Sequence, residues 1–219
     1  MHNSIKRYED ISNLIKLKLE NIKINKFPKI IAVSKTFSIE KILPLIEYGH
    51  TDYGENKVQE ALDKWTKIKI DNSNIKLHMI GKLQTNKVKF AIQIFDFIHS
   101  VDSKKLAKKI SDEQIKQNRE LKLFIQVNIG NEEQKAGIDK SELVDLYKYC
   151  KELNLNIIGL MCIPPVNLNV EKYFIQTNLL NKELNLFELS MGMSSDYLKA
   201  VEHSSSYLRI GSSIFGKRI

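Results

Sequence analysis

Two hydrophobic periodicities alternate along the chain. Over residues 4–23, Ile5, Tyr8, Ile11, Ile15, Leu19 and Ile22 recur at helical spacing and predict an opening helix. Beyond it, short apolar runs predict strands at 29–35, 51–54, 75–80, 96–101, 121–128, 156–161, 186–190 and 206–210. Between them lie predicted helices at 38–48, 56–68, 85–93, 103–118, 139–152, 169–184 and 194–203. Ser38, Ser103 and Ser194 can serve as N-caps, and Gly49 ends a helix. Strands that alternate with helices predict right-handed βαβ units and a parallel sheet. Eight such units close most economically into a (β/α)8 TIM-type barrel with an extra N-terminal helix, occupying residues 1–219 as a single domain. An open doubly wound sheet is the competing architecture.

Composition adds limits rather than a function. Hydrophobic residues make up 42% and charged residues 27% of the 219, an ordinary globular balance that excludes collagen-like or disordered chains. The longest apolar run, 157–166, falls short of a membrane span, and the opening MHNSIKRYED lacks the apolar segment of a secretory signal. Lys and Arg total 34 against 26 acidic residues, for a net charge of +8. Only Arg7, Arg119, Arg209 and Arg218 are arginines, and the lysines spread over every segment. That pattern predicts a solvated lysine surface, not a specific nucleic-acid interface built on Arg forks. Cys150 and Cys162 show no metal-ligand spacing, which predicts reduced thiols and a cytoplasmic location.

A barrel directs attention to the C-terminal ends of its strands, where active sites sit and where phosphate commonly binds after strands 7 and 8. Strand 1 ends in Ser34-Lys35-Thr36. A lysine at a barrel mouth is partly desolvated, which favours the neutral amine that condenses with a carbonyl. Strand 7 leads into Gly192, Met193 and Ser194, predicting a glycine turn and hydroxyls at a helix start where an anion is favoured. Strand 8 ends in Arg209-Ile210-Gly211-Ser212, with a second glycine that permits close backbone approach. The segment 81–87 does not match a nucleotide P-loop, and no HExxH or GxSxG occurs. His78, among apolar neighbours, is read as a hydrogen-bonded core histidine. His2, His50, His99 and His203 show no partner in the sequence. A carbonyl-trapping lysine, a phosphate cup and a lone arginine beside it suggest pyridoxal 5′-phosphate.

Several blocks, in order, carry a resemblance: IAVSKT (31–36), HTDYGENKVQE (50–60), HMIGKLQTNK (78–87), HSVDS (99–103), VNIGNEEQKAGI (127–138), GLMCIPP (159–165), ELSMGMSSD (188–196) and RIGSSIFGKR (209–218). In these the chain resembles the pyridoxal phosphate homeostasis proteins, single-barrel relatives of the alanine racemase cofactor domain. The resemblance implies that Lys35 holds the cofactor as a Schiff base. It implies phosphate contacts from Ser194 and the backbone around Gly192, Met193, Gly211 and Ser212. It places Asn56 by the cofactor or its phosphate, Arg209 opposite the pyridine nitrogen, and a secondary cofactor site at Lys135. Three departures stand out: Ser204 where relatives usually carry a glycine, a short connection after Pro165, and Lys82 where they usually carry a proline.

The implied function is cofactor buffering, carriage or delivery to apo-enzymes by a monomer. An arginine at the pyridine nitrogen cannot accept a proton, so the ring is a poorer electron sink. A racemase also needs a second base, for which this chain offers no added domain. A racemase-like enzyme and a basic nucleic-acid binder are the alternatives.

Overall fold

The computed structural model describes residues 2–132, 136–165 and 169–217. Eight parallel strands form a closed ring in chain order: β1 (Lys29–Val33), β2 (Asp52–Glu55), β3 (Lys76–Met79), β4 (Phe97–Val101), β5 (Lys122–Val127), β6 (Ile157–Cys162), β7 (Glu188–Met193) and β8 (Tyr207–Ile210). Closure comes from β1 on β8, with Lys29 to Ala32 in register with Tyr207 to Ile210. An open doubly wound sheet is therefore excluded. The helices are α1 (Asn3–Asn21), α2 (Ile39–Glu47), α3 (Val58–Asp71), α4 (Val88–Ile94), α5 (Lys104–Gln117), α6 (Leu143–Glu152), α7 (Val170–Glu183), α8 (Tyr197–Glu202) and α9 (Ser212–Phe215). Among the described residues no helix is long and apolar enough to cross a membrane.

The burial follows from two-sided parallel strands, whose outer faces meet helices and whose inner faces meet each other. The outer core joins strand residues such as Ile30, Ala32 and Leu77 to helix residues such as Ile42, Trp65 and Leu146. Through Ile11, Ile15 and Leu19, α1 adds to this layer, each buried side chain contributing about 2 kcal/mol. A separate inner cluster of Ile31, Phe97, Phe124, Met161 and Tyr207 fills the barrel.

Local differences from the predicted elements have local causes. β1 stops at Val33 because the chain turns at Thr36, whose φ is 67°. Instead of ending at residue 190, β7 runs to Met193, with a register shift against β8 between Ser190 and Met193. Gly192 is thus a strand residue at φ 90°, where an added Cβ would sit 2.5 Å from Ala200 Cβ. Ser103 caps α5 by accepting from Leu106 N–H, and Gly49 at φ 99° terminates α2 as expected. Ser38 sits at the N-cap of α2 without a capping bond. Ser194 is not an N-cap, because Asp196 takes that position at α8. The pattern gave no sign of α9, which at four residues is too short to show a period. Ser204 has φ 65°, the left-handed geometry that a glycine adopts without strain.

Candidate cofactor-binding site

At the C-terminal mouth of the barrel, a cavity of about 310 Å³ is lined by Val33, Lys35, Ile80, Ile163, Met193, Ser194, Ser195, Arg209, Gly211 and Ser212. Six predicted residues from strands 1, 7 and 8 therefore meet in one place: Lys35, Met193, Ser194, Arg209, Gly211 and Ser212. The seventh, Gly192, lies one residue behind Met193 and packs on Ala200 and Leu208.

The anion-favouring end differs in construction from the expectation. The hydroxyls were expected to cap the helix after strand 7, but α8 begins three residues beyond Ser194. The amides that converge here come from the segment after β8, where backbone at Gly211 and Ser212 was also expected to contribute. Gly211 N–H and Ser213 N–H both point to Ser194 Oγ, at 3.3 and 3.4 Å. Two amides and a hydroxyl meeting at a cavity wall are the groups that hold a phosphate oxygen. Gly211 keeps the wall thin: a Cβ there would press on Val33 at 3.3 Å.

Arg209 is the cation at the cavity floor. It is almost fully buried, and its fork is fixed by bonds from Nη1 to Ser190 Oγ at 2.8 Å and from Nη2 to Cys162 O at 2.9 Å. Burial pulls the guanidinium below its ordinary value, opposed by Cys162 and Asp196. It still remains charged, as arginine does throughout the working pH range. Arg119 lies away from this cavity and donates to the carbonyls of Ile92, Gln93 and Phe95 at the end of α4.

A support cluster that the sequence reading missed holds the turn bearing Lys35. Glu55, at the end of β2, is completely buried and accepts from Ser34 Oγ at 2.7 Å, Trp65 Nε1 at 2.9 Å and Lys64 Nζ at 2.9 Å. Lys64 also donates to Ser34 O at 2.9 Å, and Glu60 accepts from Thr36 N–H at 2.5 Å. The backbone on both sides of Lys35 is therefore tied to α3. Burial raises the Glu55 carboxyl above the ordinary carboxylate range, with Lys64, Trp65 and Ser34 opposing. The one sequence signal was spacing: Glu60 and Lys64 lie four apart, on one helix face, after Glu55.

The other predicted positions separate from this cavity. Asn56 lines a second cavity, of about 520 Å³, with Lys57, Gly81 and Lys82, and its Oδ1 is buried without a hydrogen-bond partner among the described residues. Lys135 lies outside the described residues. His78 is a buried, hydrogen-bonded core residue as read, bonded to Asp52 and His99. His99, which showed no partner in the sequence, also has Ser190. His2 caps α1, and His50 lies 2.8 Å from Asp52 O. Cys150 and Cys162 are free and buried, and burial raises them to about 12 and about 11, so both are thiols at neutral pH.

Comparison with known proteins matches residues 17–218 to the family described as alanine racemase, N-terminal domain. A pyridoxal phosphate homeostasis protein of Aquifex aeolicus is 40% identical over 200 residues, covering 87% of each chain. One from Haemophilus influenzae is 36% identical over 204 residues, covering 87% of this chain and 85% of its own. Among solved structures, PipY of Synechococcus elongatus with pyridoxal phosphate bound superposes with a TM-score of 0.82 at 34% identity, covering 92% of this chain and 100% of that one. A Clostridium difficile alanine racemase, at 14% identity and a TM-score of 0.68, shares the fold and is spanned over 56% of its length.

Proposed function

Because the chain belongs to the alanine racemase N-terminal domain family, we propose that it binds pyridoxal 5′-phosphate and serves in pyridoxal phosphate homeostasis, buffering the cofactor and delivering it. The observation that carries this reading is the meeting of Lys35, Ser194, Arg209, Gly211 and Ser212 around one cavity. The relatives' names and the ligand of PipY support the same reading.

The residues fit the group by their chemistry. Pyridoxal phosphate supplies an aldehyde that condenses with an amine, together with a phosphate dianion and a ring nitrogen. Lys35 is the amine of the cavity. Ser194 Oγ–H and the amides of Gly211 and Ser213 hold the phosphate, beside the backbone of Gly192, Met193 and Ser212. Arg209 faces the ring nitrogen. As a donor with no proton to accept, it keeps that nitrogen unprotonated and the ring a weak electron sink. That favours retention of the cofactor over turnover. Asn56 and Lys135 are assigned as flanking and secondary contacts. In the same reading the protein is a cytoplasmic monomer whose partners are apo-enzymes that need the cofactor.

Titration of the purified protein with pyridoxal phosphate tests this reading. A visible Schiff-base band is expected from the intact chain and should be lost in Lys35→Ala. Sustained, Lys35-dependent amino-acid turnover would overturn the carrier assignment in favour of an enzyme.

A further inference from the structure

A line of polar groups runs through the barrel interior from its floor to Arg209. Asp52 Oδ1 lies 3.1 Å from His78 Nε2, and His78 Nδ1 lies 3.0 Å from His99 Nε2. His99 Nδ1 is 2.8 Å from Ser190 Oγ, which is 2.8 Å from Arg209 Nη1. His78, His99 and Ser190 are wholly inaccessible to solvent. Phe97 stacks on His78 at 4.2 Å and Phe124 on His99 at 4.3 Å, so each imidazole has an aromatic face against it.

The donor inventory allows one proton arrangement when Asp52 is ionised and both histidines are neutral. Arg209 only donates, so Ser190 Oγ accepts from it. A carboxylate only accepts, so His78 carries its proton on Nε2 and presents a bare Nδ1. His99 must then donate to that nitrogen from Nε2, which leaves its own Nδ1 to accept from the Ser190 hydroxyl. Every bond points the same way, from Arg209 toward Asp52.

The protonation states have physical causes. Burial lowers His78, and burial together with His78 and Arg209 lowers His99 well below its ordinary value. Burial acts to raise Asp52, but His78, Thr51 and Lys29 outweigh it and bring the carboxyl to about 2. Around the floor end, Thr51 Oγ1 donates to Asp52 Oδ2 at 2.8 Å and Lys29 Nζ lies 3.7 Å from Oδ1.

We infer that Asp52 is the relayed counter-ion of Arg209, joined to it through a one-way donor chain in which His78 and His99 both carry their proton on Nε2. Asp52, His78, His99 and Ser190 are then positioning residues for the guanidinium at the mouth. The chain commits Nη1 to Ser190 while Cys162 O holds Nη2, which fixes the plane of the fork. The chain stands on the ligand-free protein alone. Its effect on a bound cofactor rests on the reading in which Arg209 faces the ring.

The test is ¹⁵N NMR of ligand-free protein labelled at histidine. In the intact protein both His78 and His99 are expected neutral with the proton on Nε2. A neutral Nδ1–H form, or a doubly protonated ring, at either position at neutral pH would overturn the inference. Asp52→Leu removes the acceptor and leaves Lys29, which only donates, at that end; the Asp96 carboxylate, which also acts on His78, is taken up by Lys69 Nζ at 2.6 Å and Leu77 N–H at 2.8 Å. The chain is expected to invert, with the His99 proton moving to Nδ1, whereas Asp52→Asn keeps an acceptor and the original sense. An unchanged His99 in a folded Asp52→Leu protein would overturn the coupling. If Asp52→Leu does not fold, the tautomers of the intact and Asp52→Asn proteins still decide. After loading with pyridoxal phosphate, Asp52→Leu should shift the Schiff-base absorption maximum while Lys35 is still modified, and identical spectra would overturn the link to the mouth. Absence of any Lys35 adduct, even in the intact protein, would sink the cofactor reading and leave the NMR result standing.

Discussion

Replacing Lys64 by methionine should unsettle the lysine-bearing turn through a buried carboxylate. Lys64 Nζ donates to Ser34 O, Glu55 Oε1 and Glu60 Oε1 at 2.9, 2.9 and 3.1 Å. Its side chain is 9% exposed and that of Glu55 is fully buried. Breaking a buried pair by removing one partner costs about 3–5 kcal/mol. The lower end applies here, because Ser34 and Trp65 still donate to Glu55, so the expected loss at pH 7 is about 3 kcal/mol, or roughly a hundredfold in the folding constant. The sign of the pH dependence follows from Glu55, whose folded carboxyl is already raised above its ordinary value by burial. A carboxyl raised on folding favours the folded state fully below its unfolded value, near about 4.3, and loses that contribution as pH climbs toward the folded value. Removing Lys64 raises Glu55 further, so the penalty should be small at about pH 4 and grow toward neutrality. Urea unfolding at the two pH values measures it. Adding Glu55→Gln should recover part of the loss, because no buried charge is then left alone. A penalty under about 1 kcal/mol at pH 7, or an equal one at both pH values, would show that Lys64 does not hold the Glu55 charge.

Two further outcomes follow from the same geometry. Ser194→Ala removes the hydroxyl on which the Gly211 and Ser213 amides converge. Loss of one hydrogen bond to a charged group, about 1.5 kcal/mol, should weaken pyridoxal phosphate binding about tenfold in an equilibrium titration while leaving Lys35 reactive. Ser204→Gly relieves a left-handed residue at φ 65° and should raise the melting temperature by about 2 °C, measured by calorimetry or circular dichroism. An unchanged or lower value would mean that the serine is locally compensated.

The barrel was readable in the sequence because each parallel strand is buried on both faces and so appears as an apolar run between helical repeats. Lys35, Ser194, Arg209 and Gly211 could be singled out because a barrel gathers its strand ends, and these residues lie at or just beyond the ends of β1, β7 and β8, around one cavity. What was not readable depends on register and on contacts between distant segments. Gly192 looked like a turn, but the shift between β7 and β8 keeps it in the strand. Ser194 looked like a helix cap after strand 7, yet its hydroxyl meets the Gly211 and Ser213 amides, at the start of a helix of four residues that shows no period. His99 showed no partner because Ser190 lies 91 residues away in the chain. Glu55 looked like one more charged residue until α3 folded Lys64 and Trp65 against it.

The most direct measurement is reduction of the pyridoxal phosphate-loaded protein with borohydride, followed by peptide mapping. A single dominant adduct on Lys35 is expected, diminished by excess inorganic phosphate added before loading. An unmodified Lys35 in protein that has bound the cofactor, or label scattered over the surface lysines, would contradict it.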